Sequence, residues 1–149
     1  MKIIAHRGNI NGPNPKMENK PEYVLNSISL GFDAEVDVWF VKDSWFLGHD
    51  TPDYKIDVGF LKNKKLWCHA KNLDALVKMK ELNIHCFWHQ KDDYTLTSMG
   101  YVWVYPGKKL SRNSICVMPE LESLDKQNIE FDCFGICTDR ASLFKELLN

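Results

Sequence analysis

The sequence predicts a compact (β/α)8 TIM-type barrel with trimmed helices, folded as a single domain over residues 1–149. Eight short apolar segments, rich in β-branched and aromatic residues, are typical of strands, and each ends in polar residues. Amphipathic helical patterns follow several of these segments. This alternation of strand and helix favours parallel strands joined by right-handed crossovers, and eight such strands can close into a barrel.

The predicted elements follow one another along the whole chain. The strands are predicted at residues 2–5, 34–40, 44–48, 65–71, 84–90, 101–106, 114–119 and 134–138. Helices are predicted within residues 20–32, 72–83 and 139–149, where leucine and valine recur at helical spacing. The segments 52–64, 91–100 and 107–113 are too short for more than a single turn each. Because a barrel of this kind usually has at least about 200 residues, an open α/β sheet of six or seven strands is the alternative.

Composition excludes several classes of partner. The net charge is −1 and the isoelectric point is about 6.5, so no overall positive field attracts nucleic acid. No apolar run approaches the roughly 20 residues of a membrane span, and the N-terminus is too short for a signal peptide. The five cysteines form an odd set with mostly apolar neighbours, which indicates reduced thiols in a cytoplasmic protein. We therefore expect a small-molecule ligand, and the sequence does not define the oligomeric state.

Two carboxylates on one predicted strand suggest a metal site. Glu35 and Asp37 are two residues apart in the segment AEVDVWF, so alternation points both side chains to the same face. In a barrel that face can be the interior, where two carboxylates are costly unless a cation lies between them. Hard divalent ions such as Mg²⁺ and Ca²⁺ prefer such oxygen ligands. The alternative is that the pair forms the solvent face of an amphipathic strand.

Four segments of the sequence resemble the glycerophosphodiester phosphodiesterase family, which belongs to the phospholipase-C-like phosphodiesterases on TIM barrels. They are IIAHRGN, MEN, AEVDVWFVKDSWFLGHD and ICTDR, and they occur in the family's order. The likeness is dense over residues 3–50 and 135–140 and thin between them. It implies a metal-dependent phosphoric diester hydrolase acting on a glycerophosphodiester-like small molecule.

The resemblance also implies roles for four individual side chains. His6 and His49 match the two catalytic histidines that act as general acid and general base. Arg7 matches the arginine that binds the phosphate, and the planar guanidinium suits that group. Lys71 matches a lysine that neutralises the phosphodiester.

The metal ligands implied by the resemblance are Glu35, Asp37 and the residue at position 69. The family usually has a glutamate at that third position, whereas this chain has His69. An imidazole there removes one negative charge and favours a borderline metal over Ca²⁺. We therefore expect Mg²⁺ or Ca²⁺ at this site, with Mn²⁺ or Zn²⁺ as alternatives because of His69.

Two other classes of function remain open at this point. One is a phosphate- or metal-binding module that has lost turnover, with His69 as the sign of that loss. The other is a barrel enzyme of the sugar-phosphate isomerase or aldolase type, with Lys71 as base or Schiff-base lysine. Outside these residues, Asp139 is interpreted as part of an internal ion pair or as a cap of the last helix, of which the cap is favoured. His85 is predicted to have a structural role at the opposite end of the barrel.

Overall fold

The computed structural model describes residues 1–121 and 132–148, which form ten strands and four short helices. The strands are β1 Lys2–His6, β2 Asp33–Val41, β3 Ser44–Leu47, β4 Tyr54–Ile56, β5 Leu66–Ala70, β6 Cys86–Phe87, β7 Tyr94–Leu96, β8 Val102–Val104, β9 Ser114–Val117 and β10 Gly135–Thr138. The helices are α1 Pro21–Ser29, α2 Val58–Leu61, α3 Leu73–Glu81 and α4 Ala141–Leu147, with a 3₁₀ helix at Pro119–Leu121. None of these helices has the length and apolar character that crossing a membrane requires.

The predicted (β/α)8 barrel is wrong, because the strands form a curled, mixed half-barrel sheet. Seven strands run parallel in the order β6-β5-β2-β1-β10-β9-β8, and β3, β4 and β7 add antiparallel pairs. Within the described part of the chain, no strand pairing joins β6 to β8, so the sheet does not close. The alternative of an open sheet is nearer to this arrangement, although it underestimates the number of strands.

The third predicted strand, residues 44–48, accounts for part of the error in the barrel prediction. Only Lys42 and Asp43 separate β2 from β3, and both have positive φ, at 49° and 55°. Two consecutive left-handed residues form the tight turn of an antiparallel hairpin. A parallel crossover needs a connection of a dozen or more residues. Residues 44–47 therefore pair antiparallel with β2 and cannot be a strand of a parallel barrel.

Further short elements occupy segments in which only single turns were predicted. Strand β4 and helix α2 lie within residues 52–64, and β7 lies within residues 91–100. The three predicted helices do form, as α1, α3 and α4, and Asn72 accepts a hydrogen bond from the backbone N–H of Ala75 at the start of α3. The helices within residues 1–121 and 132–148 are too few to cover the outside of a closed barrel.

Alternation along the parallel strands gives the sheet two different faces. The outward-facing residues of β2 and β5, among them Val36, Val38 and Cys68, pack beneath the helices in the largest hydrophobic cluster. The concave face carries a second cluster in which Ile4 and Trp67 pack with aromatic residues of β6 and β8. Above this cluster, towards the C-terminal ends of the strands, the concave face becomes polar.

His85 precedes β6 at the opposite end of the strands, where it packs against aromatic residues. Its ring centroid lies 4.4 Å from that of Trp67, and its Nε2 is hydrogen-bonded to Thr97 Oγ1 at 3.0 Å. Burial lowers the pKa of His85 to about 4, although the charge of Asp33 opposes this shift. The structure gives this histidine a packing role.

We expect His85 to make the protein sensitive to mild acid. Its pKa is lower in the folded state, so the unfolded chain takes up a proton as the pH falls below about 6.5, whereas the folded protein does so only near pH 4. Stability should therefore fall from pH 7.5 to pH 5, with about 1 kcal/mol of the loss due to this residue after allowance for its partial exposure. Urea unfolding of wild type and His85→Gln at both pH values measures this contribution. An equal loss in the two proteins would contradict it.

Candidate active site

The segment after β1 forms a tight turn that presents two polar side chains. His6 ends β1, and Arg7 and Gly8 follow with φ values of 52° and 86°. A Cβ atom at Gly8 would lie 3.0 Å from the ring of Tyr23 and 3.2 Å from the backbone of Val24. Glycine is needed here because both the left-handed backbone and the close approach of α1 exclude a side chain. The turn thus sets His6 and Arg7 against the end of β2.

Glu35, Asp37 and His69 form a buried cluster on the concave face. One potential ligand atom from each residue lies within 4.8 Å of the others. Strand register places Asp37 directly beside His69, since β2 and β5 pair in parallel. His69 Nδ1 is 3.1 Å from Asp37 Oδ1 and 3.8 Å from Glu35 Oε1. Alternation on two neighbouring strands therefore produces a set of two carboxylates and one imidazole.

The two carboxylates have different electrostatic surroundings. Burial and the charge of Asp37 raise the pKa of Glu35. Burial acts in the same direction on Asp37, but its hydrogen bond with His69 and the charge of Arg7 outweigh it and hold the pKa of Asp37 below the usual range. Glu35 is thus the carboxylate whose negative charge has too few cationic partners.

Asp37 is the centre of the charged network. Its Oδ2 lies 3.1 Å from Arg7 Nε, and its Oδ1 lies 3.4 Å from Lys71 Nζ. The amide of Asn19 donates to Oδ2 and accepts from the Asp37 backbone N–H, both at 2.9 Å. Arg7 also donates to Glu18 at 3.0 Å. Glu18 and Asn19 of the MEN segment therefore hold Arg7 and Asp37 in position.

The orientation of His69 suits a metal ligand. Its Nε2 donates to the backbone carbonyl of His89 at 2.9 Å, so Nδ1 is the atom that faces the carboxylates. Such a bond from the second ring nitrogen to a carbonyl is common in metal-binding histidines. If Nδ1 presents its lone pair, a cation must lie between it and the carboxylates. Asp37 Oδ1 is buried and contacts His69 Nδ1 at 3.1 Å and Lys71 Nζ at 3.4 Å, so a bound ion would compete with these groups for this oxygen.

His6 is held by a carboxylate that the sequence analysis assigned elsewhere. Its Nδ1 donates to Asp139 Oδ1 at 2.8 Å, and its Nε2 lies 3.9 Å from Glu35 Oε2. Burial lowers the pKa of His6, but the hydrogen bond to Asp139 and the charge of Glu35 raise it more, so the net shift is upward. The predicted cap role of Asp139 is wrong, because no side chain within the described residues caps α4.

Other side chains fix the position of Asp139. Asn9 donates to Asp139 Oδ1 at 2.8 Å and to Glu18 at 3.0 Å. Glu120 accepts from the backbone N–H of Asp139 at 2.8 Å and from the hydroxyl of Thr138 at 2.8 Å. Sequence analysis missed Asn9 as a site residue and assigned no such role to Glu120. The available signals were that Asn9 belongs to the quoted IIAHRGN segment and that Glu120 directly follows a predicted strand.

His49 approaches the site from the loop after β3. Its side chain is 43% exposed, and its Nδ1 lies 2.8 Å from Asp50 Oδ1. Burial and the positive charge of Arg7 lower the pKa of His49. The preceding Gly48 has a φ of 152°, and a Cβ there would collide with the carbonyl oxygen of Thr51. This glycine permits the close turn that directs His49 towards the site.

One cavity of about 450 Å³ joins these groups. Six of the seven residues predicted from the sequence line it, and the seventh, Asp37, contacts three of the others from beneath. The lining residues among the seven are His6, Arg7, Glu35, His49, His69 and Lys71. The structure therefore brings all seven predicted side chains to one place, although the sheet that carries them is not the predicted barrel.

Comparisons with models of known protein families, with curated proteins and with solved structures found no match to this chain. The resemblance to the glycerophosphodiester phosphodiesterases consequently stays a prediction based on the quoted motifs. The function has to be argued from the chemistry of the cavity.

Proposed function

We propose that the protein is a metal-dependent phosphodiester hydrolase that acts on a glycerophosphodiester-like substrate. The observation that carries this proposal is the convergence of His6, His49, Arg7 and Lys71 with the Glu35–Asp37–His69 cluster around one cavity. Two histidines, two cations and a set of metal-binding side chains are the groups that this reaction needs. The resemblance of the motifs points to the same reaction.

The substrate's own hydroxyl group is the nucleophile in this proposal. One histidine of the pair His6 and His49 accepts the hydroxyl proton as oxygen attacks phosphorus, and the other gives its proton to the departing alkoxide as the phosphorus–oxygen bond breaks. Water then opens the cyclic phosphate, with the histidines in reversed roles. Arg7 and Lys71 stabilise the charge on the phosphoryl oxygens. Asp139 acts through His6, as a positioning residue.

Glu35, Asp37 and His69 would hold the divalent ion. When bound, the ion supplies Lewis-acid stabilisation of charge on the phosphoryl and hydroxyl oxygens. The His69 imidazole favours Mn²⁺ or Zn²⁺ relative to a site with oxygen ligands alone, which suits Mg²⁺ or Ca²⁺. Asp37 already contacts Arg7, Lys71 and His69, so part of its charge is neutralised before an ion binds. We therefore expect weaker metal binding than at a site with three carboxylates.

The direct test is hydrolysis of glycerophosphocholine, whose glycerol hydroxyl can attack phosphorus, by the purified protein. Activity should be absent in EDTA and should return with one or more of Mg²⁺, Ca²⁺, Mn²⁺ and Zn²⁺. The His49→Ala variant should lower the rate by about 100-fold or more. Because His49 is half-exposed, this variant should retain the wild-type thermal unfolding midpoint. Release that is unaffected by EDTA or by His49→Ala would overturn the proposal.

The alternative functions make different demands on this cavity. A Schiff-base lysine needs a free amine, whereas Lys71 Nζ is engaged in an ion pair with Asp37. The isomerase or aldolase hypothesis also assumed a closed barrel, and the described strands do not form one. A binding module without turnover would bind metal or phosphate and would release no product from glycerophosphocholine.

A further inference from the structure

The candidate active-site cavity has two chemically different walls. The first wall carries charged and imidazole groups from β1, β2 and β5. The second wall comes from the segments around β6, β8 and β9 and from the 3₁₀ helix. It is mainly apolar, with His89 and Gln90 as its polar residues. Its apolar and aromatic residues are Phe87, Trp103, Tyr105, Pro106, Val117, Met118 and Leu121.

The apolar wall begins directly beside the predicted metal ligands. Phe87 stacks on the imidazole of His69, with ring centroids 5.2 Å apart and an interplanar angle of 4°. On its other side Phe87 lies 4.5 Å from the ring of Trp103. Both aromatic side chains are almost fully buried, and alternation on β6 and β8 directs them to the concave face. A phosphate bound at the charged wall would therefore lie next to this apolar wall.

The same wall continues upward to an exposed rim. Two positions after Trp103, Tyr105 is 50% exposed, and Leu121 at the end of the 3₁₀ helix is 73% exposed. Both line the cavity, whose volume of about 450 Å³ lies in the range of small-molecule sites. A ligand that reached only the charged wall would leave this apolar rim in water. A ligand with an apolar chain would cover it.

Resting on the proposed function, we propose that the substrate is a phosphodiester in which one ester group carries an apolar alkyl or acyl chain. The phosphate binds between the charged side chains, and the chain lies across Trp103, Tyr105 and Leu121. Each methylene removed from water strengthens binding by about fourfold. The chemistry is the same whether the compound comes from a membrane lipid or from a soluble ester.

The first test is the affinity of monoalkyl phosphates, measured by isothermal titration calorimetry in the presence of Mn²⁺. We expect hexyl phosphate to bind at least about tenfold more tightly than ethyl phosphate, with a more negative heat-capacity change as apolar surface is buried. Equal affinities for the two compounds, or no binding of either, would overturn the inference.

Two leucine variants provide a matched comparison. Leu121 and Leu96 are similarly exposed, at 73% and 71%, but only Leu121 lines the cavity. Leu121→Ser should reduce the advantage of hexyl phosphate by about threefold or more, because the chain loses an apolar contact. Leu96→Ser should leave that advantage unchanged. The inference fails if both variants have the same effect.

A second test separates this inference from the proposed function. Ethyl, butyl and hexyl esters of glycerophosphate have leaving alcohols of similar acidity, so kcat/KM should rise with chain length only through apolar contacts. Hydrolysis at the same rate for all three esters overturns the inference and leaves the phosphodiesterase intact. Tighter binding of hexyl phosphate without hydrolysis of any ester supports the apolar site and overturns the phosphodiesterase. A parallel assay of 1-oleoyl-glycerophosphocholine in phosphatidylcholine vesicles distinguishes a membrane lipid from a free ester.

Discussion

Replacing His6 by alanine is expected to lower phosphodiester hydrolysis by about 10²- to 10⁴-fold, because the proposed reaction loses one of its two proton-transfer groups. The structure offers no substitute at this position. His6 Nε2 faces Glu35, whereas the other proposed histidine, His49, approaches from the loop after β3. Initial rates of glycerophosphocholine hydrolysis at saturating Mn²⁺ measure the loss.

The Asp139→Asn variant tests how His6 is held. An amide at this position cannot accept the Nδ1 proton as a carboxylate does, so we expect at least a tenfold lower rate. Burial lowers the pKa of His6 and Asp139 raises it, so removing the carboxylate should shift the His6 pKa downward. The limb of the pH–rate profile that reports His6 should therefore move to lower pH. Movement of the alkaline limb identifies His6 as the acid, and movement of the acidic limb identifies it as the base.

The control for both variants is His85→Gln, at the opposite end of the strands. It changes a histidine of the same concave interior without touching the cavity, so the pH–rate profile should keep its wild-type form. A loss of activity in His85→Gln equal to that in His6→Ala would show that the assay reports folding and not chemistry.

How far the sequence predicts this fold depends on the length of each connection. The strands β1, β2 and β5 were predictable because each is a short apolar run that ends in polar residues, and β2 also alternates clearly. The antiparallel direction of β3 was also encoded, since the two residues Lys42 and Asp43 permit only a hairpin. The three residues of β7 are too few to show strand periodicity in the sequence. Their antiparallel pairing with β8 depends on tertiary contacts.

The candidate site was more accessible from sequence than the fold around it. His6, Arg7, Glu35 and Asp37 fall on or next to β1 and β2, which pair directly, so their convergence requires only local register. Asp139 reaches His6 because β10 pairs with β1, a contact between opposite ends of the chain. Spacing along the sequence does not show which side chain of the last strand contacts His6. This is why the cap was the favoured role for Asp139 and its bond to His6 was missed.

A second large effect is expected from Asp37→Asn, which should lower the free energy of unfolding by about 3 kcal/mol in EDTA. Asp37 is the shared anionic partner of Arg7 and Lys71. Arg7 keeps its ion pair with Glu18, so Lys71 is the cation that would remain without its partner in a site with little solvent. Removing one partner of a buried ion pair is strongly destabilising because the other charge stays uncompensated. Urea unfolding at pH 7.5 measures this difference.

Glu35→Gln is expected to behave in the opposite way without metal. Burial and the neighbouring Asp37 raise the pKa of Glu35, so its charged form is unfavourable in the metal-free protein. The glutamine carbonyl can still accept the backbone N–H of Arg7, which lies 3.3 Å from Glu35 Oε2. We therefore expect the unfolding free energy in EDTA to change by less than about 1 kcal/mol.

The gain in unfolding free energy on metal binding should distinguish the roles of the three acidic residues of β2. At an Mn²⁺ concentration 100 times Kd, the wild type should gain about 2.7 kcal/mol relative to EDTA. Glu35→Gln and Asp37→Asn should each lose most of this gain, because each removes a predicted ligand. Asp33→Asn is the matched control: Asp33 is buried on the same strand and face, but it accepts from Trp67 Nε1 at 3.0 Å and pairs with Lys2. If Asp33→Asn abolished the gain while Glu35→Gln retained it, the metal site would have to lie elsewhere on the strand.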